Sequence, residues 1–197
     1  DQATVIQRRY IATGEGTEAE RRDSFAEEIR GRTSAPQYSL VHGLIASLRS
    51  REVVTTNYDT LYEAAVSGLG QTTAVLPYEA VEQGEPWLLK LHGCIDRPES
   101  IVLTRSDYLG VPASHGALFG LVQAMLLTRH MVFVGYSLSD EDFHHLVDEV
   151  RRARPEDKAD RKLGSVLTLS YDDFFEQLWS DDVDTIPMDS SERSAGD

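Results

Sequence analysis

Val53-Val54-Thr55-Thr56-Asn57-Tyr58-Asp59 is a β-branched run that breaks into Asn-Tyr-Asp, and a stretch of helix formers follows from Thr60. β-branched side chains lose χ1 freedom in a helix and pack well on a pleated surface, so the run predicts a short strand. Two further runs are built the same way. The stretch opening at Trp87 passes through Leu88-Leu89-Lys90-Leu91 to His92-Gly93, and Met131-Val132-Phe133-Val134 leads to Gly135-Tyr136-Ser137. Runs at 165–169 and 183–188 predict two more strands, the second weaker. Helical patterns at 60–67, 116–128, 140–154 and 172–179 fall between them. Strand and helix in alternation predict an α/β fold with a mostly parallel sheet and helices on both faces.

Upstream of this alternation, residues 1–50 read as helical. Val5, Ile6 and Tyr10 suit one helix face, 18–30 is rich in helix formers, and Leu40, Leu44, Ile45 and Leu48 recur at helical intervals. Gly14, Gly16, Gly31 and Pro36 supply the breaks. The acidic stretch from Asp189 to Asp197 is expected to be a disordered tail, which leaves 1–188 as the folded part.

The chain has 197 residues, 41% hydrophobic and 26% charged, a balance ordinary for a globular domain and foreign to collagen, coiled coil or wholesale disorder. Its formal charge is −14, which would repel a phosphate backbone, so direct nucleic-acid binding is not expected. Cys94 is the only cysteine, too few for a disulfide or a multi-cysteine zinc site, and a reducing cytoplasm is the expected setting. No run reaches the ~18 apolar residues of a membrane span, and Asp1-Gln2-Ala3-Thr4 lacks signal-peptide character, so no membrane contact is expected. A start without methionine suggests that Asp1 is an internal position of a longer gene product.

In parallel α/β sheets ligands bind outside the carboxyl ends of the strands, so the polar residues that end the apolar runs are the informative ones. Each has a structural reading. Asp59 suits the N-cap of the helix from Thr60, because its carboxylate would accept a first-turn amide. Asn57 suits a turn. His92 alone reads as a structural histidine, but Gly93 after it removes a Cβ that would crowd a ligand. Gly135 and Ser137 suit a tight strand-to-helix turn, with Ser139 as cap and Asp142 three residues on. The acids at 140–142 suit the helix dipole and would repel phosphate, so if Gly135–Ser137 touches a nucleotide, a ribose hydroxyl or the adenine is the expected partner and not the phosphates.

Two other signals are set aside. Gly14-Glu15-Gly16-Thr17-Glu18-Ala19 fits GxGxxA, but no strand precedes it and its glutamates oppose a pyrophosphate. His144 and His145 are adjacent on a predicted helix, where they diverge by about 100°, so they do not read as a metal site.

Taken together, Thr55-Thr56-Asn57-Tyr58-Asp59, Lys90-Leu91-His92-Gly93 and Gly135-Tyr136-Ser137-Leu138-Ser139-Asp140 resemble, in order and spacing, the three motifs of the sirtuin-like domains of bacterial antiphage defence proteins, the group that includes the Thoeris effector. Pro36 and His42 extend the resemblance, which covers residues 36–188. It implies a Rossmann-like fold that binds NAD as substrate and cleaves the bond between nicotinamide and ribose. On that resemblance Asn57 orients water near the anomeric carbon and Asp59, beside Thr56, holds the nicotinamide carboxamide. His92 is the general base, and Gly135 with Ser137 lines the adenosine side. Such a reaction already has a good leaving group and needs no metal; a positioned base contributes ~100- to 10,000-fold.

Two departures qualify the resemblance. Deacylating sirtuins carry a four-cysteine zinc module after the His-Gly motif, whereas here Cys94 is followed by Ile95-Asp96-Arg97-Pro98 and an expected helical insert. Zinc and protein deacylation are therefore not expected, and water becomes the nucleophile. The family also opens with a strand and a Gly-Ala-Gly-x-Ser type loop that cradles pyrophosphate, and nothing at 1–17 matches, so the first strand and that loop are expected to be missing from this chain. The leading expectation is an NAD hydrolase effector, homo-oligomeric, that depletes NAD when a sensor module or partner protein detects infection. The alternatives are a non-catalytic NAD or ADP-ribose sensor and an oligomerisation module with a decayed site.

Overall fold

The computed structural model describes residues 2–103, 105–154 and 161–189, so the predicted tail, apart from Asp189, lies outside the described residues. The chain divides into two compact units, Asp1–Leu118 and Phe119–Asp197.

The first unit opens with helices α1 (Gln2–Thr13) and α2 (Glu18–Thr33). A capping box starts α2: Thr17 Oγ1 accepts from Glu20 N at 3.3 Å and the Glu20 carboxylate accepts from Thr17 N at 2.7 Å. Those bonds from Thr17 hold the Glu20 carboxyl below its ordinary range. The GxGxxA stretch is thus a turn between two helices, and no strand precedes it among the described residues. Tyr10 packs its ring on Phe25, 5.4 Å between centroids, while Val5 and Ile6 stay exposed.

Next come α3 (Leu40–Ser47), strand β1 (Glu52–Thr55), α4 (Leu61–Gly68), β2 (Ala74–Leu76) and β3 (Trp87–Lys90). The three strands are parallel in the order β1-β3-β2. Leu88 and Leu89 are successive and both fully buried. Successive strand residues point to opposite faces, so β3 is covered on both sides, as parallel strands are. Its register sets Thr55 against Lys90, and the polar segments after β1 and β3 therefore leave one edge side by side. β2 has no counterpart in the sequence reading.

α5 (Arg105–Thr128) leads into the second unit, which holds β4 (Met131–Val134), α6 (Glu141–Ala153), β5 (Gly164–Thr168), α7 (Asp173–Trp179) and β6 (Val183–Pro187). Its strands are parallel in the order β4-β5-β6. Phe143, Leu146, Val147 and Val150, at i, i+3, i+4 and i+7, are the buried face of α6. α7 starts at Asp172, whose carboxylate accepts from Phe174 N at 2.9 Å and Phe175 N at 3.1 Å.

Parallel strands linked by helices make the chain an α/β protein, as the alternation predicted. One boundary moves: α5 begins at Arg105, well before the predicted 116, and contains Gly110 and Pro112.

Gly164 faces Met131 across the β4–β5 ladder, and a Cβ built on it would overlap the Met131 carbonyl group. Gly164→Ala should therefore push the two strands apart and cost about 1–3 kcal/mol, as overpacking does. Thermal unfolding checks this, and an unchanged Tm would contradict it.

Candidate functional site

Asn57, Tyr58 and Asp59 lie between the end of β1 and the start of α4. Asn57 is exposed at the edge, and its backbone N–H donates to Thr55 Oγ1 at 3.1 Å. Asp59 Oδ1 accepts from Leu61 N at 3.0 Å. Thr60 holds the cap position of α4 without a side-chain bond, so Asp59 stands one place earlier than predicted and still satisfies a first-turn amide from there. One carboxylate oxygen is committed to that bond. Thr56 lies half-buried at the strand end.

Beneath this loop lies Lys90, the last residue of β3 and only 1% exposed. Its ammonium pairs with Glu63 Oε1 at 2.9 Å, donates to Tyr58 O at 3.4 Å and makes a short bond to Asp59 O. An ammonium has three N–H donors and no acceptor, so this set uses all it has. Glu63, in the first turn of α4, compensates a charge that could not otherwise be buried. β3, the Asn57–Asp59 loop and α4 are thereby tied at one point.

His92, two residues on, is 4% exposed, a buried imidazole at the end of the central strand. The chain then folds back over it. Gly93 has φ +97°, Val102 N donates to the His92 carbonyl at 2.9 Å, and Tyr58 OH donates to Val102 O at 2.8 Å. A short 3-10 turn, Pro98–Ser100, closes the return. Ser100 Oγ accepts from Tyr78 OH at 2.8 Å and Cys94 N at 3.1 Å and donates to Arg97 O at 2.6 Å. Burial pushes the Tyr78 phenol above its ordinary pKa. Gly93 also has a reason within the chain that the sequence did not show: a Cβ there would run into the Ser100 carbonyl group.

A cavity of about 380 Å³ opens beside the same loop, lined by Ala35, Pro36, Gln37, Tyr38, Thr60, Leu61 and Ala64. It brings Pro36 next to the residue that follows Asp59. His42, also part of the resemblance, closes the capping box of α3: Ser39 Oγ and His42 Nδ1 are 2.8 Å apart.

In the second unit Gly135 and Ser137 follow β4, both exposed. Gly135 has φ +64°. The residues between and after them are anchors: the Tyr136 ring meets Phe143 edge-on at 5.5 Å, and Leu138 is fully buried at φ 55°. His144 Nε2 lies 2.6 Å from Leu138 O, and its ring meets Trp179 at 5.1 Å. Anchored on both sides, Ser137 is held at the surface with its Oγ 2.6 Å from that of Ser139. Ser139 is not the cap of α6, because the Asp140 carbonyl accepts the first helical bond, from His144 N at 3.0 Å. Among the described residues no group of three His, Cys, Asp or Glu side chains is arranged to hold a metal, and no helix is long and apolar enough to cross a membrane.

In each unit the polar candidates gather at the carboxyl ends of parallel strands, the edge where parallel α/β sheets bind ligands when they bind them. The chain belongs to the SIR2-like domain family, whose sequence pattern matches residues 51–163. It is 30% identical over 118 residues to the Defense-associated sirtuin 2 of Bacillus subtilis, a match covering 57% of this chain and 12% of that protein. It is also 30% identical over 166 residues to the NAD(+) hydrolase ThsA of Enterococcus faecium, covering 79% of this chain and 33% of the relative. The ThsA of Bacillus cereus strain MSX-D12 is 26% identical over 123 residues, 59% of this chain and 26% of that protein. The chain thus spans about a third or less of the length of these relatives.

The two loop glycines make a matched test. Gly93→Ala combines a left-handed backbone with a backbone overlap and should cost well over the ~1–2 kcal/mol of the conformation alone. Gly135→Ala meets open space and should cost only that amount. Urea unfolding of both variants checks the order, and equal losses would contradict it.

Proposed function

We propose that the chain is the NAD-hydrolysing part of an antiphage defence protein. The observation that carries this reading is the shared edge of β1 and β3, where Asn57, Asp59 and His92 lie on adjoining segments. The names of the relatives, an NAD(+) hydrolase and a defence-associated sirtuin, point the same way.

In the proposed reaction a water oxygen attacks the anomeric carbon of the nicotinamide ribose. The C–N bond breaks with its electron pair going to the pyridinium nitrogen, so nicotinamide leaves neutral. The water proton passes to His92, directly or through a ribose hydroxyl, and the products are nicotinamide and ADP-ribose. Asn57 orients the water, a proximity contribution. Asp59, with Thr56 beside it, binds the carboxamide through groups that the Leu61 bond leaves over. Gly135 and Ser137 are assigned to the adenosine portion. The leaving group is already cationic, so the proposed step uses no metal. The reading includes a cytoplasmic setting, homo-oligomerisation and activation by a sensor module or partner protein.

One observation favours a second reading, a non-catalytic NAD or ADP-ribose sensor: His92 is almost wholly buried. Nicotinamide release by the full-length protein, with its trigger or partner present, separates the two. Asn57→Ala and His92→Ala should each lower the rate at least ~100-fold while the protein stays folded. NAD binding without release would establish the sensor, and release that survives both substitutions would remove the site from this edge.

A further inference from the structure

We infer that Lys90 is a positioning residue for the reacting end of the site, holding the Asn57–Asp59 loop from below through its backbone carbonyls. The inference rests on the proposed NAD hydrolysis and adds a residue to it. Lys90 reaches no solvent, and its Nζ is spent on Glu63, Tyr58 O and Asp59 O. Two of its three bonds go to the backbone of the loop that carries Asn57 and Asp59. A buried ammonium needs acceptors for every N–H, and here the two that Glu63 does not take come from this loop and, among the described residues, from no other part of the chain. A leucine or methionine would fill the same place in an apolar strand without burying a charge.

The three bonds divide between two tasks. The Tyr58 and Asp59 carbonyls fix the height of the loop above β3, and Glu63 fixes the first turn of α4, where Asp59 Oδ1 meets Leu61 N. A second contact works in the same direction, since Ile95 N donates to Tyr58 O at 2.9 Å. Without the ammonium, the loop keeps that bond and loses its support under Asp59. Misplacing a reacting group by about 1 Å costs on the order of 100-fold in rate, so the loss should fall on kcat.

Three variants of the full-length protein test this, each followed by nicotinamide release and by hydrogen–deuterium exchange across 57–62. Lys90→Met should lower kcat on the order of 100-fold with a much smaller change in KM, and should speed exchange. Glu63→Gln removes the charge but keeps an amide oxygen that accepts from Nζ, and the bonds to both carbonyls remain, so kcat and protection from exchange should fall far less than in Lys90→Met even if Tm falls. Removing one partner of a buried pair strands the other charge, which makes Lys90→Met the single variant most exposed to misfolding. The double variant Lys90→Met/Glu63→Gln removes both charges together and should fold and still lose kcat. Retained kcat in the double variant, or losses in Glu63→Gln equal to those in Lys90→Met, would overturn the inference. A wild-type protein that releases no nicotinamide sinks the hydrolase reading instead. Exchange then decides the clamp alone, and unchanged protection in Lys90→Met would overturn that too.

Discussion

Lys90 puts a primary ammonium where water does not reach, and the structure around it follows from what such a group requires. A buried cation needs a counter-charge and acceptors for each N–H, and here they come from three places: Glu63 in α4 and the carbonyls of Tyr58 and Asp59. Satisfying one ammonium therefore fixes the first turn of a helix, the loop after β1 and the end of β3 relative to one another. The parallel register of Thr55 with Lys90 places that junction at the carboxyl edge, two residues before His92 on the same strand end. The constraint that makes burial of the charge tolerable is the same one that gives the edge its shape.

The second unit reaches a comparable result without an ion. Its strand-end loop alternates buried and exposed residues: Tyr136 enters an aromatic cluster with Phe133 and Phe143, Leu138 is fully buried, and Ser137 between them is exposed. His144 fastens the Leu138 carbonyl from α6. The sequence reading discounted His144 as a ligand, and the observed contact gives it a structural task.

Much of the architecture was legible because local chemistry and tertiary demand agree. β-branched and apolar runs at 53–56, 87–91 and 131–134 became strands within a residue of their predicted bounds, and the polar ends of those runs fell at strand edges. β2 was missed because Ala74–Leu76 is only three residues long. The start of α5 was missed because Gly110 and Pro112 weaken the local helical signal, and tertiary context overrides such a signal. At the site, Asn57, Asp59 and His92 stood out as polar interruptions after apolar runs. The tasks of Lys90, Glu63, Tyr78 and Ser100 did not, because each is defined by a partner distant in sequence. The one available signal was a lysine inside an apolar strand. Gly93 was noticed for the right property, its missing side chain, but what fills the space is the chain's own Ser100.

The central claim is that the carboxyl edge shared by β1 and β3 holds the nicotinamide end of NAD. A crystal structure of the full-length protein with NAD bound tests it most directly. The account predicts the nicotinamide ribose in contact with Asn57 and His92 and the carboxamide at Asp59. A dinucleotide bound elsewhere, with this edge untouched, would contradict it.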